Sequence, residues 1–258
     1  MSKFTSMSKS DEKVKQKRTK KTVIPLEITF DTGNQYEIGV DEAGRGPMFG
    51  RLYVAAAVLP KHGFSHELMK DSKKFTNKEK LRETAEYIKQ NAVAWNIQYI
   101  ENDVIDKHNI LKCVMQGMHE AIKQVISKLE NIPAESGSEY TRKIMLLIDG
   151  NYFTPHIVFD EETQSVREIP FETIEGGDNK YTCIAAASIL AKVAHDEYIA
   201  EMCNKYPVLI ERYGLDSHVG YGTARHLNGI KEHGITQWHR RSFGACKTAV
   251  YSPIEEII

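Results

Sequence analysis

Cysteine is scarce and scattered. Cys113, Cys183, Cys203 and Cys246 are the four in 258 residues, and no two form a C-x-x-C pair. Neither a zinc cluster nor a disulfide framework is expected, and a reducing compartment fits. No apolar run approaches the roughly 18 residues of a membrane span. The charged N-terminus is followed by no apolar segment, so it does not read as a secretory signal. Its Lys, Ser and Thr also lack the Arg-rich amphipathic pattern of a transit peptide. Net charge is almost absent: 34 Lys and Arg stand against 35 Asp and Glu, for −1. A G-x-x-x-x-G-K-[ST] phosphate loop is missing. The dinucleotide fingerprint G-x-G-x-x-G fails after Gly44 and Gly46, because Gly50 comes one residue late.

The composition that remains is that of a globular chain, 41% hydrophobic and 27% charged, able to bury a sizeable core. The near-zero charge conceals an asymmetry. Up to Lys21 there are eight basic residues and two acidic ones, or +6, which leaves 26 basic and 33 acidic residues and −7 for the rest. Residues 1–22 read as a disordered basic arm, suited to solubility or to weak contact with a polyanion. Residues 23–258 read as one folded domain.

Hydrophobic patterning orders that domain. Strands are expected at 35–40 (QYEIGV), 52–59 (LYVAAAVL), 92–100 (AVAWNIQYI) and 143–148 (KIMLLI). Helices are expected at 77–89, capped by Thr76, at 109–129, where Ile110, Val114, Met118, Ala121, Ile122, Val125 and Leu129 follow the helical period, and at 182–203. Residues 131–138 and 175–179 read as loops, and short helices are expected around 224–232. Three strands followed by alternating helix and strand predict an α/β layer fold, with antiparallel strands at one side and parallel strands reached through helical crossovers.

The acids sit where such a fold gathers ligands. Asp41 and Glu42 follow one apolar strand, and Asp149 follows another. Ligands collect beyond the carboxyl ends of parallel strands. Neighbouring parallel strands would bring Asp41 and Asp149 together, and crowded carboxylates need a cation between them. All-oxygen ligands suit Mg²⁺ or Mn²⁺ rather than zinc. Taken singly, a strand-end Asp is most often a turn residue or cap; the joint pattern is the signal. The helix at 182–203 offers a further acid, Asp196 or Glu197, and periodicity does not choose between them.

Several segments together carry a specific likeness: Ile38-Gly39-Val40-Asp41-Glu42-Ala43-Gly44-Arg45-Gly46-Pro47, Asp71-Ser72-Lys73-Lys74, Leu147-Ile148-Asp149-Gly150, residues 185–193 (AAASILAKV), Gly220-Tyr221-Gly222-Thr223 and His239-Arg240-Arg241-Ser242-Phe243. In this order, across residues 36–243, the chain resembles ribonuclease HII. The resemblance implies a ribonuclease H-like fold: a five-stranded mixed sheet flanked by helices, with a C-terminal helical segment. It implies an endonuclease that hydrolyses the RNA strand of RNA–DNA hybrids and cuts 5′ of single ribonucleotides in duplex DNA. The products would be 5′-phosphate and 3′-hydroxyl, and the cofactors two divalent ions, Mg²⁺ or Mn²⁺. By position it places the four acids on Asp41, Glu42, Asp149 and Asp196. It places reading of the ribose 2′-OH on Gly44, Arg45 and Gly46, and stacking on the next sugar on Tyr221. The Gly-Tyr-Gly-Thr form resembles the bacterial-type, single-subunit enzyme, which implies a cytoplasmic monomer. Type III relatives lack the Gly-Arg-Gly turn.

Three positions depart from the pattern. His195 stands where Arg is common before Asp196. Gly176 offers no side chain at a possible phosphate contact. Arg51 replaces a proline. Ser72 and Lys73 are candidate contacts to hybrid phosphates, against the plainer reading of a solvated basic loop. Lys192 is another candidate contact; an intrahelical ion pair with Asp196 is its alternative. His218 reads as a structural histidine before a proton shuttle, and Trp95 and Trp238 as core residues. A catalytically silent hybrid-binding protein is the competing function, opposed by the intact acids. A nucleotide-dependent enzyme is a third, opposed by the missing phosphate motifs.

Overall fold

The computed structural model describes residues 25–132, 143–160 and 164–255. The basic arm and most of the 131–138 loop lie outside the described residues. The strands are β1 (Tyr36–Ala43), β2 (Leu52–Val58), β3 (Ala94–Ile100), β4 (Ile144–Asp149), β5 (His156–Asp160), β6 (Ser165–Ile169) and β7 (Phe171–Ile174). The helices are α1 (Lys78–Asn91), α2 (Asn102–His108), α3 (Ile110–Glu130), α4 (Thr182–Lys205), α5 (Val208–Tyr213), α6 (Leu215–His218) and α7 (Ala224–His233). Among the described residues, no helix is long and apolar enough to cross a membrane.

Five strands form one mixed sheet in the order β3-β2-β1-β4-β7. β1 runs antiparallel to β2 and parallel to β4, and β4 runs parallel to β7. The expected α/β fold with a five-stranded mixed sheet and a helical C-terminal region is the fold observed. Alternation along β1 explains its two faces. Ile38 and Val40 enter a core built with α3, whereas Gly39 meets α4. That second contact demands glycine: a Cβ at 39 would stand 2.2 Å from the carbonyl carbon of Cys183. The close approach lets α4, buried nearly all round, lie flat across the sheet. α1 and the C-terminal helices share its side; Leu209, Tyr213 and Ile230 are in the same core.

The structure amends several boundaries. Asn77, not Thr76, caps α1, accepting from the N–H groups of Glu79 and Lys80 at 2.7 and 3.3 Å. α3 begins one residue late because Asn109 is its cap, held at φ 67° and accepting from Lys112 N–H. β1 runs on through Asp41 and Glu42. Patterning overlooked α2, the β5–β6 hairpin and the fifth sheet strand, β7. Four residues with one buried side chain leave almost no period to read in β7.

Candidate active site

Asp41 and Glu42 are consecutive in a strand, so their side chains leave opposite faces. Asp41 follows Gly39 onto the α4 side, where it bonds to Ser188 and sits 6% exposed. Glu42 follows Val40 toward α3 and pairs with Arg45 at 3.4 Å. Asp149 ends β4 one residue beyond the registered pair Val40 and Ile148, which sets it beside Asp41. Burial, then Asp149, then Glu42 raise the Asp41 pKa well above the usual carboxylate range. Burial also raises Glu42, against the pull of Arg45.

A fourth acid joins from a place patterning had treated as loop. Asp178 lies in a single 3-10 turn, residues 177–179, just before α4, and is 4% exposed. The turn is fastened to β4: Gly177 N–H donates to Asp149 Oδ1 at 2.7 Å. Burial, then Asp71 and Asp149, raise the Asp178 pKa, opposed by Lys73. A sequence signal existed, an acid beside a Gly-Gly pair ahead of the alanine-rich helix, but nothing local distinguishes it from an ordinary turn.

Asp196 is placed differently. Ser188 touches Asp41, and Asp196 lies eight residues further along α4, a rise of about 12 Å. Its carboxylate accepts from Lys192 Nζ at 2.7 Å and from His195 Nδ1 at 3.2 Å. Although burial alone would raise it, those bonds hold its pKa below the usual range. The structure therefore gathers Asp41, Glu42, Asp149 and Asp178, and sets Asp196 in an ion pair with Lys192. Among the described residues, no three His, Cys, Asp or Glu side chains already surround a common point as ligands. The oxygens are turned to protein donors instead.

Ser72 and Lys73 are next to the acids. Ser72 is buried, with its hydroxyl 3.0 Å from that of Ser188. Lys73 is raised, against the effect of burial, by Asp178, Asp71, Asp41 and Asp149, so with Arg45 beside Glu42 it is a cation of the cluster. Asp71 accepts from Lys73 N–H at 2.8 Å and Asn179 joins it at 3.2 Å, tying the Asp-Ser-Lys loop to the turn that carries Asp178.

The glycine turn stands at the other side of the strand end. Gly44 has φ 84°, and a Cβ there would stand 2.6 Å from the ring of His195. Tyr221 is 47% exposed and its ring lies over Gly46, where a Cβ would stand 3.2 Å away. Arg51 pairs with Glu101 at 2.6 Å and lies over the rings of Tyr99 and Tyr198. His218 bonds the Tyr213 carbonyl at 2.9 Å and stacks on His226, a structural position. Trp95 and Trp238 pack against the core. A cleft of about 60 Å³ separates α3 from the acids, lined by Glu42, Arg45, Asp149, Leu111, Met115 and Tyr152.

Carboxylates clustered at the carboxyl ends of adjacent parallel strands, with a glycine turn and an exposed aromatic beside them, define an acidic ligand site of an α/β protein, suited to a divalent cation. The family model described as Ribonuclease HII matches residues 38–246. Ribonuclease HII of Oceanobacillus iheyensis is 38% identical over 214 residues, covering 83% of this chain and 70% of that one. Ribonuclease HII of Parabacteroides distasonis is 38% identical over 214 residues, covering 83% and 92%. Among solved structures, ribonuclease H2 from Pyrococcus horikoshii aligns with TM-score 0.61 at 20% identity, over 83% of this chain and 96% of that one. Bst-RNase HIII in complex with Mn²⁺ aligns with TM-score 0.60 at 17% identity, over 83% and 69%. These two share the fold. The chain belongs to the ribonuclease HII family, and the protein is an endoribonuclease of the ribonuclease H class.

Proposed function

We propose that the protein hydrolyses the RNA strand of RNA–DNA hybrids and cuts duplex DNA on the 5′ side of a single ribonucleotide, leaving 5′-phosphate and 3′-hydroxyl. The observation that carries this reading is the convergence of Asp41, Glu42, Asp149 and Asp178 beside the Gly44-Arg45-Gly46 turn. Asp41, pushed up by burial and then by its acidic neighbours, is a group that a cation would relieve. The donor set is entirely hard oxygen, which fits two Mg²⁺ or Mn²⁺ ions held by these four acids. Asp178 takes the fourth place in preference to Asp196. Bound there, divalent ions would make water a nucleophile at neutral pH and neutralise charge on the leaving oxygen.

The chain's own residues supply the rest. Lys73 offsets negative charge where a phosphate would enter. The freed backbone at Gly44 and Gly46 can approach a 2′-OH, the group that distinguishes ribose from deoxyribose. The exposed Tyr221 ring offers a face to the following sugar, where a second 2′-OH would crowd it. The reading extends to a cytoplasmic enzyme acting as a monomer, and to residues 1–22 as an arm that adds weak polyanion affinity.

The test is cleavage of end-labelled duplex DNA carrying one ribonucleotide, with and without a chelator. Chelator-sensitive cutting at the 5′ phosphodiester of that ribonucleotide is the expected result. Cutting on the 3′ side, or of long hybrid alone, would refute the assignment of the glycine turn and Tyr221.

A further inference from the structure

The two halves of the proposed junction reader, the Gly44–Arg45 turn and Tyr221, are 176 residues apart in sequence and meet at one short segment, residues 239–240. Arg240 is fully buried. Its Nε donates to Gly50 O at 2.9 Å, and its Nη2 donates to Gly44 O at 2.6 Å and to Arg51 O at 2.9 Å. Its Nη1 donates to Arg45 O at 3.2 Å. Among the described residues, these hydrogen bonds of the guanidinium all end on main-chain carbonyls of the turn, which makes it a template for the turn's shape. A buried charge spent wholly on carbonyl dipoles is costly to keep, so the turn's geometry is held strongly.

His239, next in the chain, controls the other half through hydrogen bonds whose direction is determined. The Thr236 backbone N–H can only donate, and it does so to His239 Nδ1 at 3.0 Å. The proton of His239 is therefore on Nε2, which lies 3.1 Å from His226 Nε2 and donates to it. His226 then carries its proton on Nδ1 and donates it to Tyr221 O at 3.0 Å. One polarity runs from Thr236 through two neutral histidines to the Tyr221 backbone. The registry is reinforced where Arg240 N–H donates to Met48 O and Met48 N–H to Gly220 O.

We propose that His226, His239 and Arg240 form one positioning unit that sets the Tyr221 ring over Gly46 of the Gly44–Gly46 turn, and so determines preference for a ribose–deoxyribose junction without touching substrate. The inference rests on the proposed junction-reading role of Gly44–Gly46 and Tyr221. None of the three residues belongs to the acid cluster, so the unit affects which substrate is seated rather than the chemistry.

Two amide variants separate its parts. In His226→Gln the amide reaches the Nε2 position, accepts from His239 and leaves Tyr221 O without its donor. In His226→Asn the amide nitrogen takes the Nδ1 position and keeps that donor. Initial rates are measured on a single-ribonucleotide duplex and on a continuous hybrid, at fixed salt and metal, beside wild type and Tyr221→Ala. Losing one hydrogen bond predicts a fall in the rate ratio, single ribonucleotide to hybrid, of about three- to tenfold in His226→Gln. In His226→Asn the ratio stays close to wild type. Circular dichroism checks that both variants are folded; should the Gln variant not fold, Arg240→Lys, which cannot reach four carbonyls, carries the same expectation. Equal loss on both substrates would overturn the proposal, because a merely structural role lowers the two rates together. If Tyr221→Ala changes the ratio while the His226 and Arg240 variants leave it alone, only the positioning role fails. If Tyr221→Ala also leaves the ratio unchanged, the junction reading itself fails, and this proposal with it.

Discussion

Replacing Asp149 by Asn removes one charge and almost no volume. The amide oxygen can still accept from Gly177 N–H, now made to Asp149 Oδ1 at 2.7 Å, so the turn bearing Asp178 stays attached to β4. What changes is repulsion. Adjacent parallel strands lie about 4.8 Å apart, and Asp41 and Asp149 stand one residue past a registered pair. Two charges about 5 Å apart repel by ~3 kcal/mol at an effective permittivity near 20, and solvent at the site lowers this to about 1 kcal/mol. A carboxyl whose folded pKa is raised, as in Asp41, adds stability below its unfolded pKa and loses it as pH rises through the folded value. Without divalent cation, wild type should thus lose stability from about pH 4 toward neutrality, and Asp149→Asn should lose less. At neutral pH in chelator the variant should be about 1 kcal/mol more stable. Added Mg²⁺ should raise the wild-type Tm and barely move that of the variant, while cleavage in the variant falls at least about a thousandfold. Thermal melts at several pH values, with chelator or Mg²⁺, and initial rates on hybrid check each step. Near-native cleavage, or a variant less stable in chelator with an unchanged Mg²⁺ response, would refute the account of these acids as a cation site.

Asp178→Asn should cost at least about a hundredfold in cleavage, and Asp196→Asn less than about fivefold, since Asp178 sits on the turn that Gly177 fastens to Asp149 while Asp196 is held by Lys192 and His195. Paired initial rates decide it, and the reverse ranking would return the fourth place to Asp196. Burial pushes His226 down to about 4 and His239 to about 3. The unfolded chain therefore binds more protons below about pH 6.5, and stability should fall as pH drops from 6.5 toward 4, by up to ~3 kcal/mol from His226. Urea midpoints across that window should fall less steeply in His226→Gln; equal slopes in the two proteins would show that His226 titrates freely in the fold.

Local patterning was enough for the central strands, because β1, β2 and β4 are short apolar runs that end in recognisable residues. The same patterning placed Asp41, Glu42 and Asp149 at strand ends, and the motif order was enough for the family. Only the tertiary structure decided how those ends meet. Parallel pairing of β1 with β4 brings together acids 108 residues apart in sequence, and pairing depends on register rather than on any single segment. The acid proposed for the fourth place shows the difference most sharply. Asp196 lies in a long alanine-rich helix that is plain in the sequence, whereas Asp178 lies in a 3-10 turn with no period, so its distinction comes from Gly177 binding Asp149. Arg240 and His239 are the extreme case. They belong to a motif whose order is legible, but nothing local shows that the chain folds back and buries them against the turn, since a charge inside a protein is explained only by the partners that surround it.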